Sequence, residues 1–297
     1  MKKIIVDSSE PVRLDRYIRR IFPSTAQGII ERYLRSGKIK VNGTKVKSST
    51  RIKNGDEITL YVELSQGSVA VKTFSDSTIA LATKLLAEYL LWSTNEFIAI
   101  NKPHNLAVQG GSKISVSVDE AISYLNTTSG MNLKLVHRLD KGTSGVLLIA
   151  RGHDSAVILT KVFKDRLIEK TYYAVVCGHP KKSQGTLLNY IGKDRSGIFE
   201  IVKELKSGKI AETSYSVLKE NEDYSFVEFK PKTGRMHQLR VHSKILGCPI
   251  LGDVKYGGLS YKRIMLHAKQ IVIPKEVFGS EVVIECDLPE PWFKLEI

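Results

Sequence analysis

The chain has few cysteines and no long apolar run, and both absences exclude whole classes of protein. Cys177, Cys248 and Cys286 are three in number and far apart among 297 residues. They form no disulfide framework and no zinc-type pair spacing, so buried thiols in a reducing compartment are expected. No apolar stretch approaches the ~20 residues that a bilayer span requires. The short run Ile4-Ile5-Val6 ends at Asp7, too soon for a secretory signal, and is expected to be a first strand. A cytoplasmic location is therefore expected. No Lys-rich amphipathic helix points to a membrane surface. The phosphate-cradling loop, the dinucleotide fingerprint, the Gly-x-Ser-x-Gly elbow and the His-Glu-x-x-His signature are all missing. His237 and His242 are five residues apart and share no helical face, so no catalytic metal is expected. There is no internal repeat.

Acidic residues are also in short supply, 31 against 45 Lys and Arg, for a formal net charge of +14. A balance this basic points to a polyanionic partner, nucleic acid first. With 42% hydrophobic residues and a mean hydropathy of −0.12, the composition is that of a folded protein of about two domains. Arg13 to Lys53 holds twelve basic residues against Asp15 and Glu31. That segment is nonetheless patterned. Val12, Leu14, Tyr17, Ile18 and Ile21 fall at helical spacing before Pro23, and Ala26 to Leu34 gives a second helix. Ile39 and Val41 then alternate with lysines, Asn42-Gly43 signals a hairpin, Val46 continues it, and Ile58 to Val62 reads as a strand. Residues 65–82 show no period and read as a linker that runs into a short helix at Thr83 to Tyr89.

Strands and helices are interspersed beyond Leu90. Phe97 to Ile100 reads as a strand, Ser117 to Leu125 and Ala156 to Leu167 as amphipathic helices, and Lys170 to Gly178 as a strand. Glu212 to Leu218 and Ser225 to Pro231 read as neighbouring antiparallel strands, and Gly234 to Gly247 as a helix. The order does not repeat as βαβαβ, so an α+β fold with a mixed or antiparallel sheet is expected.

Four segments concentrate polar residues beside these elements. They are Asn101 to Gly111, Val136 to Arg151, Glu169 to Ala174 and Lys230 to His242. The second reads VHRLDKGTSGVLLIAR, with Asp140 between Arg138 and Lys141 on a glycine-rich loop before a buried strand. An isolated Asp in such a loop is ordinarily a solvated residue, a strand Tyr is ordinarily packing, and a basic helix stripe ordinarily faces water. The alternative is a single site. There Asp140 is the reactive acid, Tyr172 stacks on a planar base, and Arg240 pairs with the carboxylate while its neighbours hold phosphates.

The motifs carry a resemblance that favours the second reading. Residues 10–62 resemble the S-four-type RNA-binding domain through Val12-Arg13-Leu14-Asp15-Arg16-Tyr17, Ile39-Lys40-Val41-Asn42-Gly43 and Gly55-Asp56. From about Glu88 onward the chain resembles the RluA-type family of RNA pseudouridine synthases. The matching residues are His137-Arg138-Leu139-Asp140 with Thr143 to Leu148, Thr233 to His242, Leu246 to Asp253, Tyr256-Gly257 and Leu266-His267-Ala268. Gly142 and Met236 depart from it, standing where the family usually has an acidic residue and Thr or Ser. Asn101-Lys102-Pro103 and Ala107 to Ser112 are most similar to its type-C large-subunit ribosomal RNA members.

The resemblance implies an S-four-type domain at 1–64, a linker at 65–87 and a catalytic domain at 88–297. It implies a central mixed, mostly antiparallel sheet with flanking helices. It also implies isomerisation of uridine to pseudouridine in ribosomal RNA, with no cofactor, carried by Asp140, Tyr172 and Arg240. Lys102, Arg138, Arg235, His237 and Leu266 are expected to touch the substrate. Arg16, Arg19, Arg20, Arg32, Arg35 and Lys38 are expected to meet RNA phosphates. The expected partner is large-subunit ribosomal RNA, free or in an assembling particle, bound by a monomer. A non-catalytic RNA-binding protein would suit the basic module but not the Asp140, Tyr172 and Arg240 set. A glycosidase-like hydrolase would want a second carboxylate.

Overall fold

The basic N-terminal segment folds because its apolar residues recur first at helical and then at strand spacing. The computed structural model describes residues 1–64, 73–111, 114–194, 201–289 and 292, without the side chains of Asp194 and Ile201. Two compact units result, Met1–Thr73 and Phe74–Ile297. The first holds β1 (Lys2–Ile5), β2 (Val12–Arg13), α1 (Leu14–Ile21), α2 (Gln27–Arg35), β3 (Ile39–Val41), β4 (Arg51–Ile52) and β5 (Glu57–Leu60). β5 is the centre of a sheet in the order β1-β5-β3, and β2 pairs with β4. Leu14, Tyr17 and Ile18 of α1 and Ile30 and Leu34 of α2 close over Ile39, Ile52 and Ile58. The same periodicity leaves Arg16, Arg19, Arg20, Arg32 and Arg35 exposed, with Lys38 exposed just after α2. Asn42 (φ 48°) and Gly43 (φ 73°) are both left-handed, the type I′ conformation that this pair favours in a hairpin. Val46, expected to extend a strand, lies outside any strand between β3 and β4.

The second unit begins with α3 (Asp76–Ala87), β6 (Leu90–Ser93), β7 (Phe97–Lys102), α4 (Val118–Ser129), β8 (Leu133–Leu135), β9 (Ser144–Arg151), α5 (Gly152–Lys164) and β10 (Glu169–Cys177). It continues through β11 (Gln184–Asp194), β12 (Ile201–Glu204), β13 (Lys209–Glu220), β14 (Tyr224–Pro231), α6 (Gln238–Ile245), β15 (Leu266–Ile273), α7 (Lys275–Phe278) and β16 (Val282–Glu285). One sheet runs β12-β11-β13-β14-β10-β15-β9-β7-β6, with β16 beside β15 and β8 beside β9. β9 and β15 pair in parallel; the neighbours on either side are antiparallel. The architecture is the α+β, mostly antiparallel arrangement expected.

The centre of this sheet is buried on both faces. Successive strand residues point to opposite sides. Ile98, Ile100, Leu147 and Ile149 pack with Ala121, Ile122 and Leu125 of α4. Phe97, Ala99, Val146, Leu148 and Ala150 pack on the other face with Leu159 and Val162 of α5. Double coverage is why Val146 to Ala150 needs no polar alternation. Cys177, Cys248 and Cys286 are free thiols, the last two buried.

Three expectations change. Residues 65–72 of the expected linker lie outside the described residues, and much of the rest is α3. The Ser75 hydroxyl caps that helix by accepting from Thr78 N–H at 3.2 Å. Thr78, Ala82 and Leu85 form its buried face, a helical period written largely in small residues. α6 begins at Gln238 and not at Gly234, because His237 is left-handed (φ 55°) at its N-cap. His237 is therefore not on the helix face that carries Arg240. β11 and β12 were not expected at all.

Candidate active site

Asp140 lies on the loop between β8 and β9, and the loop is pinned from several sides. Leu148 N–H of β9 donates to His137 Nε2 at 2.8 Å, and the His137 ring stacks on Phe163 of α5 with centroids 4.4 Å apart. Burial, followed by the nearby Lys170 charge, pushes His137 down to about 3. It is a neutral acceptor holding the loop to the sheet. Thr143 N–H closes a turn onto the Asp140 carbonyl at 3.1 Å. Ser144 Oγ is 2.8 Å from His267 Nδ1 and accepts a short hydrogen bond from Arg263 Nη2. β9 meets β15 here, where Ser144 pairs with His267 and Gly145 with Ala268.

Lys102, expected as an RNA contact, is instead fully buried. Its Nζ donates to the carbonyls of Pro103 (2.9 Å), Leu106 (2.8 Å) and Lys141 (3.4 Å). Burial pushes it down to about 7, and the Asp140 charge opposes that shift. Three acceptors match the three N–H groups of the charged form. Lys102 thus ties the end of β7 to the residue after Asp140, and it has no free face for a phosphate.

The loop opens into a cleft of about 190 Å³. An apolar cavity of roughly 150 Å³ holds a benzene ring, so a single pyrimidine ring fits. Tyr172 of β10, Leu266 of β15 and the residues around the start of α6 complete the walls. Asp140 is the only carboxylate among the described lining residues. Burial, then the Asp140 charge, raises the Tyr172 phenol well above its ordinary pKa, so it keeps its proton. Tyr173, the next residue, packs edge-on against Phe226 with centroids 5.1 Å apart. The expected division of the two tyrosines between sheet faces is present. Lys170 also lines the cleft, and burial lowers its pKa.

Arg240 and His237 face the acid without touching it. Arg240 Nη1 is 4.0 Å and His237 Nε2 3.9 Å from Asp140 Oδ2. The hydrogen bonds of Arg240 go elsewhere, from Nε and Nη2 to the two oxygens of Asp253, both at 2.7 Å. Burial works against the guanidinium charge, but Asp253 first, and then Asp140 and Tyr256, favour it, and the pKa is raised. The expected direct pairing of Arg240 with Asp140 is thus a long approach beside a tight pair with Asp253. His237 is pushed down by burial, with Asp140 opposing.

The remaining expected contacts divide by exposure. Arg138 is exposed and donates to Gln109 Oε1 at 3.3 Å. Arg235 is half-buried, with Nε on the Ile210 carbonyl at 3.0 Å. Leu266 is 3% exposed and can meet only a group inside the cleft. Gln238 holds the turn before α6, accepting from Thr233 Oγ1 and Arg235 N–H and donating to the Glu212 carbonyl and Thr213 Oγ1. In the first unit, Arg20 lies over the Tyr17 ring at 4.9 Å and Arg32 over Tyr33 at 5.4 Å. Asp253, Tyr256 and Lys170 were missed by sequence reasoning. The Leu251-Gly252-Asp253 and Tyr256-Gly257 motif was the one available signal for the first two.

Known proteins are similar to this chain in sequence and in fold. The RNA pseudouridylate synthase family matches residues 96–244, and the S4 domain matches residues 12–58. The ribosomal large subunit pseudouridine synthase C of Rickettsia bellii is 48% identical over 96% of this chain and 97% of its own. The protein of the same name from Vibrio cholerae is 30% identical over 87% of this chain and 84% of its own. The solved structure of human RNA Pseudouridylate Synthase Domain Containing 4 superposes with a TM-score of 0.61 at 29% identity, covering 73% of this chain and 94% of that one. With a one-acid, pyrimidine-sized cleft on a mostly antiparallel sheet and an S4 domain ahead of it, the chain belongs to the RNA pseudouridylate synthase family of enzymes.

Proposed function

We propose that the chain converts uridines of large-subunit ribosomal RNA to pseudouridine, using Asp140 as the reacting carboxylate and no cofactor. The observation that carries this reading is the cleft itself, in which one carboxylate faces Tyr172 and Arg240 in space for one pyrimidine ring. The choice of RNA rests on the names of the bacterial relatives.

The reaction is an isomerisation. The bond from ribose C1′ to uracil N1 breaks, the ring turns, and a bond from C1′ to C5 forms. C5 loses its proton and N1 gains one, so atoms and electrons balance with no redox partner. The target base leaves its stack to enter the cleft, at a cost of a few kcal/mol. Phosphate contacts from the exposed arginines of residues 1–64 offset that cost. Asp140 engages the nucleotide as nucleophile or base while the glycosidic bond is open. Tyr172 stacks on the uracil. Its phenol stays protonated, so its hydroxyl relays the C5 proton and does not hold the negative charge. Arg240 stabilises negative charge on the Asp140 side of the cleft.

The test is tritium release from ribosomal RNA labelled at uridine C5. Wild type should release tritium, and Asp140→Asn should release none above background. Equal release by both would remove Asp140 from the chemistry. No release by wild type from any cellular RNA would favour a binding protein.

A further inference from the structure

Among the described residues, five basic side chains line the cleft beside Asp140, and the protein supplies partners for four of them. Arg138 donates to Gln109 and Arg235 to the Ile210 carbonyl. Arg240 pairs with Asp253 and Asp140, and His237 lies 2.7 Å from the Tyr256 hydroxyl. The fifth is Lys170, which meets neither an acid nor a hydrogen-bond acceptor among the described residues. The charge that bears on it is another cation, the exposed Arg166, which has no acid on it among those residues either. Glu169, the acid next to Lys170 in sequence, points to the opposite face of β10. His137 also feels the Lys170 charge, but it already accepts from Leu148 N–H. Lys170 is only partly exposed, so its ammonium has lost hydration that no group of the chain replaces.

We propose that Lys170 binds a backbone phosphate flanking the uridine that enters the cleft, with Arg166 adding to the positive field there. This inference rests on the reading of the cleft as the site where uridine is isomerised. Placement supports it. Lys170 and Tyr172 are two residues apart on β10 and both face the cleft, so they stand roughly 7 Å apart along the strand. With the uracil on Tyr172, that step matches the reach from a base to the phosphate of its own nucleotide. An ammonium on a flexible stem is a point charge suited to such an oxygen. Burial, then the Arg166 charge, lowers the Lys170 pKa, and a phosphodiester anion beside it would favour the charged form again. The contact forms only when the nucleotide has left its stack. It therefore offsets the cost of flipping and does not tighten every RNA complex alike.

The test crosses a variant with an altered RNA. The probe is a synthetic RNA built around a uridine that wild type modifies, with neutral methylphosphonate in place of the phosphate on its 5′ or its 3′ side. Full-length wild type, Lys170→Met, Lys170→Arg and Asp140→Asn are compared by pseudouridine formation at subsaturating RNA, which reads kcat/KM. On unaltered RNA Lys170→Met should lower kcat/KM by about tenfold or more. Lys170→Arg keeps the charge and should recover most of that loss. Methylphosphonate at one of the two positions should lower wild type by a similar factor and leave Lys170→Met unchanged. Wild-type kcat/KM in Lys170→Met would overturn the proposal, and so would equal losses in both proteins at each position. If Lys170→Met does not fold, Lys170→Gln takes its place. No loss by wild type at either position would overturn the proposal without any variant. An active Asp140→Asn would instead fall on the proposed function.

Discussion

Gly145 lies so close to Ala268 that a Cβ added to it would stand 2.2 Å from the Ala268 carbonyl oxygen. It also has φ +110°, a conformation that L side chains rarely adopt. This contact joins β9 to β15 in parallel immediately after the loop that carries Asp140. Gly145→Ala should therefore cost more than about 3 kcal/mol in urea unfolding, since both backbones must part. Gly142→Ala is the contrasting variant. Its Cβ would meet only the Ile264 side chain, at 2.8 Å from Cδ1, which can turn away. A loss under about 1 kcal/mol is expected. Equal losses at the two positions would contradict the close approach of β9 and β15 at Gly145.

Lys102→Met tests whether this residue serves the loop or the RNA. Removing Nζ leaves the carbonyls of Pro103, Leu106 and Lys141 without their donor, while relieving a buried charge. A net destabilisation of about 1–3 kcal/mol is expected. The loop bearing Asp140 loosens, so the single-turnover rate should drop by about tenfold or more. RNA affinity, measured by filter binding, should stay within a factor of about two, since a fully buried side chain makes no phosphate contact. Weakened binding at a normal rate would restore the role that its sequence position suggested.

What could be read from the sequence depended on how local each feature is. The Asp140 loop and the strand after it are contiguous, so the loop and the burial of Val146 to Ala150 were visible together. Lys102 was expected at the RNA because of the motif it belongs to, and its complete burial could not be read from Asn101-Lys102-Pro103 alone. Only the folded chain brings the Lys141 carbonyl to it. Arg240 was assigned to Asp140, and the tight partner proved to be Asp253, whose approach depends on packing beyond α6. β11 escaped notice because Leu188 (65% exposed) and Tyr190 (45% exposed) place apolar residues on its open face. That erases the alternation by which a strand is recognised.

The arginines of α1 make a prediction about salt. Arg16, Arg19 and Arg20 are exposed on one short helix whose other side is core. Replacing all three with Ala should weaken RNA binding similarly for matched and unmatched sequences. The slope of log affinity against log salt should become shallower by about 0.7–0.9 for each phosphate that the variant no longer neutralises. The single-turnover rate at saturating RNA should not change. An unaltered slope would remove α1 from the RNA surface.

Acid stability should depend on two histidines that the proposed chemistry does not use. His242 and His267 are both fully buried, and burial pushes each down to about 4. Neither ring nitrogen of His242 has a hydrogen-bond partner among the described residues. Their ordinary value is 6.5. Between about 4 and 6.5 the unfolded chain therefore binds protons that the folded chain refuses. The stability from keeping these rings neutral is complete above pH 6.5 and is lost as pH falls toward 4. From pH 7 to pH 5.5 each histidine should cost about 1 kcal/mol. Carboxylates contribute to acid unfolding as well, so the difference between variants is the quantity to measure. His242→Leu cannot take up the proton, and its urea midpoint should fall less between those two pH values than that of wild type. An identical fall in both proteins would mean that His242 is already charged in the folded state, or that the fold opens around it before it titrates.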